Sequence, residues 1–161
     1  MVDTCADRIA LAGALKPTLM IQEIIEGDVL GLPSTGQRYE AVLVTFTLLE
    51  IPDVEACVTK LWSLMATNGI LVVALPDAWS DVLAASADHP DLIQQFLTER
   101  VSLPKHDKFT GKPYPFDAIR LESMIDLVLR AGFSLEEIKR SESSLAGVFI
   151  LSFRHRPALK A

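Results

Sequence analysis

Two runs that are apolar at nearly every position, AVLVTF and ILVVAL, separated by one amphipathic segment of helical length, constrain this chain more than any other feature. A strand that is apolar at nearly every position suits burial on both faces, as in a parallel sheet covered by helices. Between the runs, Pro52-Asp53 predicts a helix start. Val54, Cys57, Val58, Leu61, Trp62 and Met65 then fall on one helical face. Asn68-Gly69 predicts a left-handed cap that ends this helix. Two buried strands joined through a helix pair in parallel, because a tight hairpin cannot connect them.

The flanking segments extend the alternation. MVD reads as the end of a buried strand closed by an acid, and a helix follows over about Cys5–Leu15. Thr4 and Asp7 have the spacing of a capping box, and Pro17 stops the helix. TLMIQEII predicts a strand ended by Gly27-Asp28. Between Pro76 and Phe116 the pattern breaks into one or two short helices, DLIQQFLTERV being the clearer, and a loop with Gly111, Pro113 and Pro115. Regular alternation resumes where Leu121, Met124, Ile125, Val128 and Leu129 repeat at helical spacing, ended by Gly132. SLEEIKR and GVFILSFRHR, joined by the turn SESSLA, form an antiparallel hairpin. Without repeats or linkers, residues 1–161 read as a single α/β domain. Its sheet is mostly parallel, lies between helical layers and ends in an antiparallel hairpin.

Composition removes several classes of function. The formal net charge is −6, and no basic stripe tracks along the sequence, so a nucleic-acid partner is not expected. PKHDKFTGK is the one local basic cluster; it contains its own Asp107 and reads as a solvated loop. The longest apolar run falls far short of the roughly 18 residues that suggest a membrane span, and no secretory signal opens the sequence. Cys5 and Cys57 both sit in predicted helices, which points to a reducing, cytoplasmic setting rather than a disulfide framework. The three histidines form neither a metal-ligand spacing nor a Ser/His/Asp arrangement.

The order of these segments resembles the class I S-adenosylmethionine-dependent methyltransferases. VD followed by ADRIALAGA is similar to that family's second strand and the helix after it. EGDVLGLP resembles its adenine-side loop. RYEAVLVTFTLLEIPDVEACVTKLWSLMATNGILVVALPD resembles its fourth strand, following helix and fifth strand. VLRAGFSLEEIKR and the final hairpin are similar to its last helix and closing strands. The resemblance spans nearly all of the sequence and implies a three-layer αβα Rossmann-like sheet. It also implies that the family's first strand and Gly-rich turn would come before Met1. The chain is therefore expected to be part of a longer enzyme, or to be completed by a second copy or a strand-donating partner.

The same resemblance implies S-adenosylmethionine as cofactor and a small-molecule acceptor. Asp3 matches the acid that takes the ribose hydroxyls. Asp28 and Val29 match the adenine position, and Thr45 lies at the methionine end, beside Phe46 and Thr47. A bare turn-forming Gly-Asp is the plainer reading of Asp28. Glu50, Asp77 and His106 are candidate bases, though each is more ordinarily a surface residue, and no catalytic residue is assigned. Trp79, Tyr114 and Phe116 are candidates to shape an acceptor pocket. Tyr39-Glu40 departs from the family's aromatic-Asp. The alternative function is a non-catalytic module that keeps the fold to bind a partner or to self-associate. A nicotinamide-dependent enzyme is disfavoured by the terminal hairpin.

Overall fold

The strand Met65–Pro76, β4, has a paired strand on each side in the larger part of the molecule. The computed structural model describes residues 2–3, 6–7, 9–10, 13–14, 25–34, 36, 38–45, 47–106, 113–143 and 146–156. The chain divides into two compact units, Met1–Gln37 and Arg38–Ala161.

In the second unit, β3 (Tyr39–Thr45) and β4 (Met65–Pro76) are joined by α1 (Val54–Leu64). They pair in parallel from Ala41↔Ile70 to Thr45↔Ala74, as the two apolar runs predict. On its other side β4 pairs antiparallel with β8 (Ala146–His155), which pairs antiparallel with β7 (Phe133–Ser143). The strand order is β3-β4-β8-β7. Register then sorts the side chains. Leu71, Val73, Leu151 and Phe153 share one face and are fully buried. Val58 and Leu61 of α1 are buried too, as are Met124 and Val128 of α4 (Leu121–Arg130). Trp62 of α1 stacks on His155 of β8, which places α1 on that same face.

The opposite face corrects an expectation. β3 is not buried on both sides: Leu43 is 68% exposed, with Ala41 and Thr45 exposed on its face. In this unit β3 is the end strand of its sheet among the described residues, so apolar composition alone did not guarantee cover.

Two further expectations are revised. Asn68-Gly69 does not cap α1, which stops at Leu64 with the Met65 N–H bonding to the Trp62 carbonyl. Asn68, at φ 64°, instead lies inside β4 where the pairing with β3 shifts between Tyr39 and Ala41. A left-handed residue fits such an irregularity as well as it fits a helix end. Gly69 is needed there for closeness: a Cβ would meet the Ala66 carbonyl at 2.9 Å.

The second revision concerns the expected loop with Pro113 and Pro115, which is largely strand. β5 (Val101–His106) and β6 (Pro113–Ala118) form an antiparallel ribbon with Pro104 opposite Pro115. A two-stranded ribbon has only edge strands, where a missing N–H is tolerated. Ahead of it lie α2 (Ala78–Ala85) and α3 (Leu92–Thr98), the latter inside the segment that best predicted a helix.

The first unit is smaller. Its β1 (Val2–Asp3) pairs in parallel with β2 (Ile25–Glu26), setting Val2 opposite Ile25 and Asp3 opposite Glu26. Residues 6–7, 9–10 and 13–14 are helical. Thr4, Cys5, Pro17 and residues 18–24 of the predicted strand lie outside the described residues. A 3-10 turn, Val29–Gly31, follows Gly27 and Asp28.

Candidate functional site

In open α/β sheets, ligands collect beyond the carboxyl ends of parallel strands. Each unit offers such an end. In the second unit, β3 leaves its strand at Thr45 and turns into a 3-10 helix, Thr47–Leu49. The Thr47 hydroxyl donates to the Thr45 carbonyl at 3.0 Å. Beside it β4 ends at Pro76, and Asp77 starts α2 by accepting from the Trp79 N–H at 3.2 Å. The start of α4 lies there too, because Arg120 and Leu121 line the same hollow as Pro76 and Asp77.

These ends enclose a cavity of about 100 Å³. Leu49 and Leu75 form its floor, with Phe149 from β8. Trp79 and Phe96 form an aromatic wall, edge to face with centroids 5.0 Å apart. Phe96 is fully buried, whereas Trp79 is 40% exposed. The polar lining is Asp77, Arg120 and Glu122. Asp77 is held by Arg140 at 3.0 Å, and the Arg140 guanidinium lies 5.8 Å from the centroid of the Phe149 ring.

Trp79 and Asp77, both singled out in the sequence, therefore meet at one cavity. Phe116 is buried, and the side chains of His106 and Tyr114 lie outside the described set. Glu50 is half-buried behind the 3-10 turn. Sequence reasoning missed Arg120, Glu122, Leu49 and Phe149. Arg120 did leave a signal, since α4 begins on an arginine instead of a Ser, Thr, Asp or Asn cap.

In the first unit, register sets the ends of β1 and β2 side by side, so Asp3 and the Gly27-Asp28 turn follow the same edge. Gly27, at φ 156°, bends the chain directly after β2. Asp28 is exposed, and one carboxylate oxygen accepts from the Leu30 N–H at 2.9 Å. Its other oxygen makes no bond among the described residues. The Val29 N–H, first of its 3-10 turn, also has no partner among them. Among the described residues, successive positions thus offer one acceptor and one donor that are not used within the turn, the pair of groups that an amino-purine edge would require. Asp3 is described in backbone only. Thr45 is exposed and belongs to the second unit.

Among the described residues no helix is long and apolar enough to cross a membrane. No family model and no curated protein matches the sequence. Solved structures do. A SAM-dependent methyltransferase of Methanosarcina mazei is similar at TM-score 0.67 and 12% identity, covering 96% of this chain and 80% of that one. The fold is that of S-adenosylmethionine-dependent methyltransferases. A second protein with this fold is the N-methyltransferase NodS of Bradyrhizobium japonicum, in complex with S-adenosyl-L-homocysteine. It is similar at TM-score 0.58 and 15% identity, with 97% of this chain and 65% of that one covered. The methyltransferase fold does not fix the reaction. The 4+2 cyclase SpnF is similar at TM-score 0.63 and 11% identity, with 96% and 64% covered.

Proposed function

We propose that this chain binds S-adenosylmethionine and transfers its methyl group to a small or medium-sized acceptor in a cytoplasmic setting. The observation that carries the reading is an Asp28 carboxylate oxygen beside a Val29 N–H, both without a partner among the described residues, on a chain whose fold is that of methyltransferases. In this reading Asp28 accepts from the exocyclic amine of adenine and Val29 donates to a ring nitrogen. Asp3 takes the ribose hydroxyls, and Thr45 serves the methionine end. When bound, the cofactor supplies a methyl group activated by a sulfonium, so orientation of the acceptor carries much of the rate. The cavity lined by Trp79, Phe96 and Phe149 is the place this reading gives to the acceptor. Asp77 is anchored by Arg140 and by its cap on α2, which supports a structural duty over that of a general base.

Calorimetric titration of the chain with S-adenosylmethionine and S-adenosylhomocysteine tests the reading. Saturable binding of both, weakened in Asp28→Ala, is expected. Absence of binding of either, in a chain that is folded by circular dichroism, would overturn it.

The second reading, a non-catalytic module, is favoured by one observation. Leu43 stands 68% exposed on a strand that, among the described residues, ends its sheet, and exposed end strands with apolar side chains can pair with other chains. Self-association or acceptance of a strand from a partner follows from that surface. Sedimentation of the chain alone distinguishes the two: a monomer that binds the cofactor removes the second reading.

A further inference from the structure

The cavity beside α4 contains an arginine that makes no ion pair among the described residues, although Asp77 and Glu122 line the same cavity. The Arg120 guanidinium carries five N–H donors, yet its single hydrogen bond among the described residues is to the Ser123 hydroxyl at 3.3 Å. Arg120 is half-buried, and it makes no ion pair there. A guanidinium drawn partly out of water gains from a carboxylate partner, because donors removed from water and left unmet are costly. The placement is also unfavourable in a second way. Arg120 occupies the N-cap of the ten-residue α4, where the helix dipole disfavours a cation. Resting on the methyltransferase reading above, we propose that the acceptor is a small organic acid. Its apolar body sits against Trp79, Phe96 and Phe149, and its carboxylate pairs with Arg120.

The other charges in the lining do not compete. Asp77 is neutralised by Arg140 and used as the cap of α2. Glu122 is exposed in the first turn of α4, where water and the helix N-terminus already stabilise a carboxylate. Arg120 alone combines partial burial, a free fork of donors and an apolar surrounding. A guanidinium presents two parallel N–H groups to a carboxylate, a match that neither an amide nor an amine makes.

Size narrows the class further. An apolar cavity of about 150 Å³ holds benzene. At about 100 Å³ this cavity takes less: a short branched chain or a five-membered ring.

The test uses the full chain and three matched probes: isovalerate, isovaleramide and isoamylamine, titrated calorimetrically with and without saturating S-adenosylmethionine. Isovalerate is expected to bind at least tenfold more tightly than the amide, with the amine weakest. Arg120→Gln should erase the preference for the acid, and Arg120→Lys should keep part of it. Equal affinity for acid and amide, or tighter binding of the amine, overturns the proposal. Competition between isovalerate and S-adenosylmethionine also overturns it, since the carboxylate held would then be the cofactor's own. If Arg120→Gln fails to fold, the acid-to-amide ratio in the unaltered chain still decides. An intact cofactor isotherm without acid preference sinks this proposal alone. Acid preference without cofactor binding keeps the acid site but removes its role as acceptor site.

Discussion

Trp62 and His155 stack with ring centroids 4.7 Å apart and planes at 43°, and their buried ring nitrogens have no hydrogen-bond partner among the described residues. His155 is 4% exposed, with Phe133 against its other side at 6.0 Å. Burial pushes its pKa below the ordinary 6.5, and the positive charge of Arg38 adds to the same direction. The stack ties α1 to the antiparallel hairpin.

Stability should therefore depend on pH through this residue. The folded chain keeps His155 neutral, while the unfolded chain protonates it below about pH 6.5, so the unfolded state binds more protons. The contribution is fully present above pH 6.5 and is lost as the pH falls from there through the folded pKa. Urea midpoints measured from pH 8 to pH 5 should decline below 6.5 in the natural chain, and less steeply in His155→Phe. At pH 8 that variant should be no less stable, because it removes two unpartnered buried nitrogens and keeps an aromatic ring. Parallel declines would exclude His155 as the cause.

Gly132 sits under the same indole. Its φ is +102°, and a Cβ there would lie 2.9 Å from Trp62 Nε1. Gly132→Ala combines left-handed strain with overpacking, each on the order of 1–3 kcal/mol, so a loss of about 2 kcal/mol or more is expected. Thermal denaturation checks it; an unchanged Tm would mean the indole moves aside freely.

Asp53 caps α1 by accepting the Ala56 N–H at 2.9 Å. Asp53→Ala should cost about 1 kcal/mol, and Asp53→Ser only a fraction of that. Denaturant midpoints of the two variants, compared at equal m-value, are the measurement.

Asp28→Ala is expected to weaken S-adenosylmethionine by about tenfold or more, the usual worth of a hydrogen bond to a charged group. Because Asp28 also caps the turn at Leu30, Asp28→Asn is the informative partner. It keeps an oxygen for the cap and offers an amide where the adenine amine requires an acceptor. Equal affinities for the natural chain and Asp28→Asn would remove the adenine assignment.

Leu43→Lys should reduce any self-association seen in sedimentation and leave the thermal midpoint within about 0.5 kcal/mol equivalent, as expected of an exposed position. A marked loss of stability would show that Leu43 is packed in solution.

Local pattern was enough to place β3, α1, β4, α4 and the closing hairpin, because each is a periodic apolar segment, although the end of α1 was misplaced. Pro52-Asp53 opened α1, and Gly132 closed α4. The same local information misread Asn68-Gly69, since a left-handed residue serves a strand irregularity and a helix cap equally well. It also misread Pro113 and Pro115, whose cost depends on whether the strand has one neighbour or two. Apolar runs cannot say which strand stands at a sheet's end, so the exposure of Leu43 was decided only by the arrangement of all four strands. The cavity was the least legible feature. Leu49, Trp79, Phe96, Arg120 and Phe149 come from five separate segments, and no spacing in the chain links them. Asp28 and Val29 could be singled out from sequence because one short turn holds both; Arg120 gained its meaning only when folding brought it to a largely apolar hollow where it makes no ion pair among the described residues.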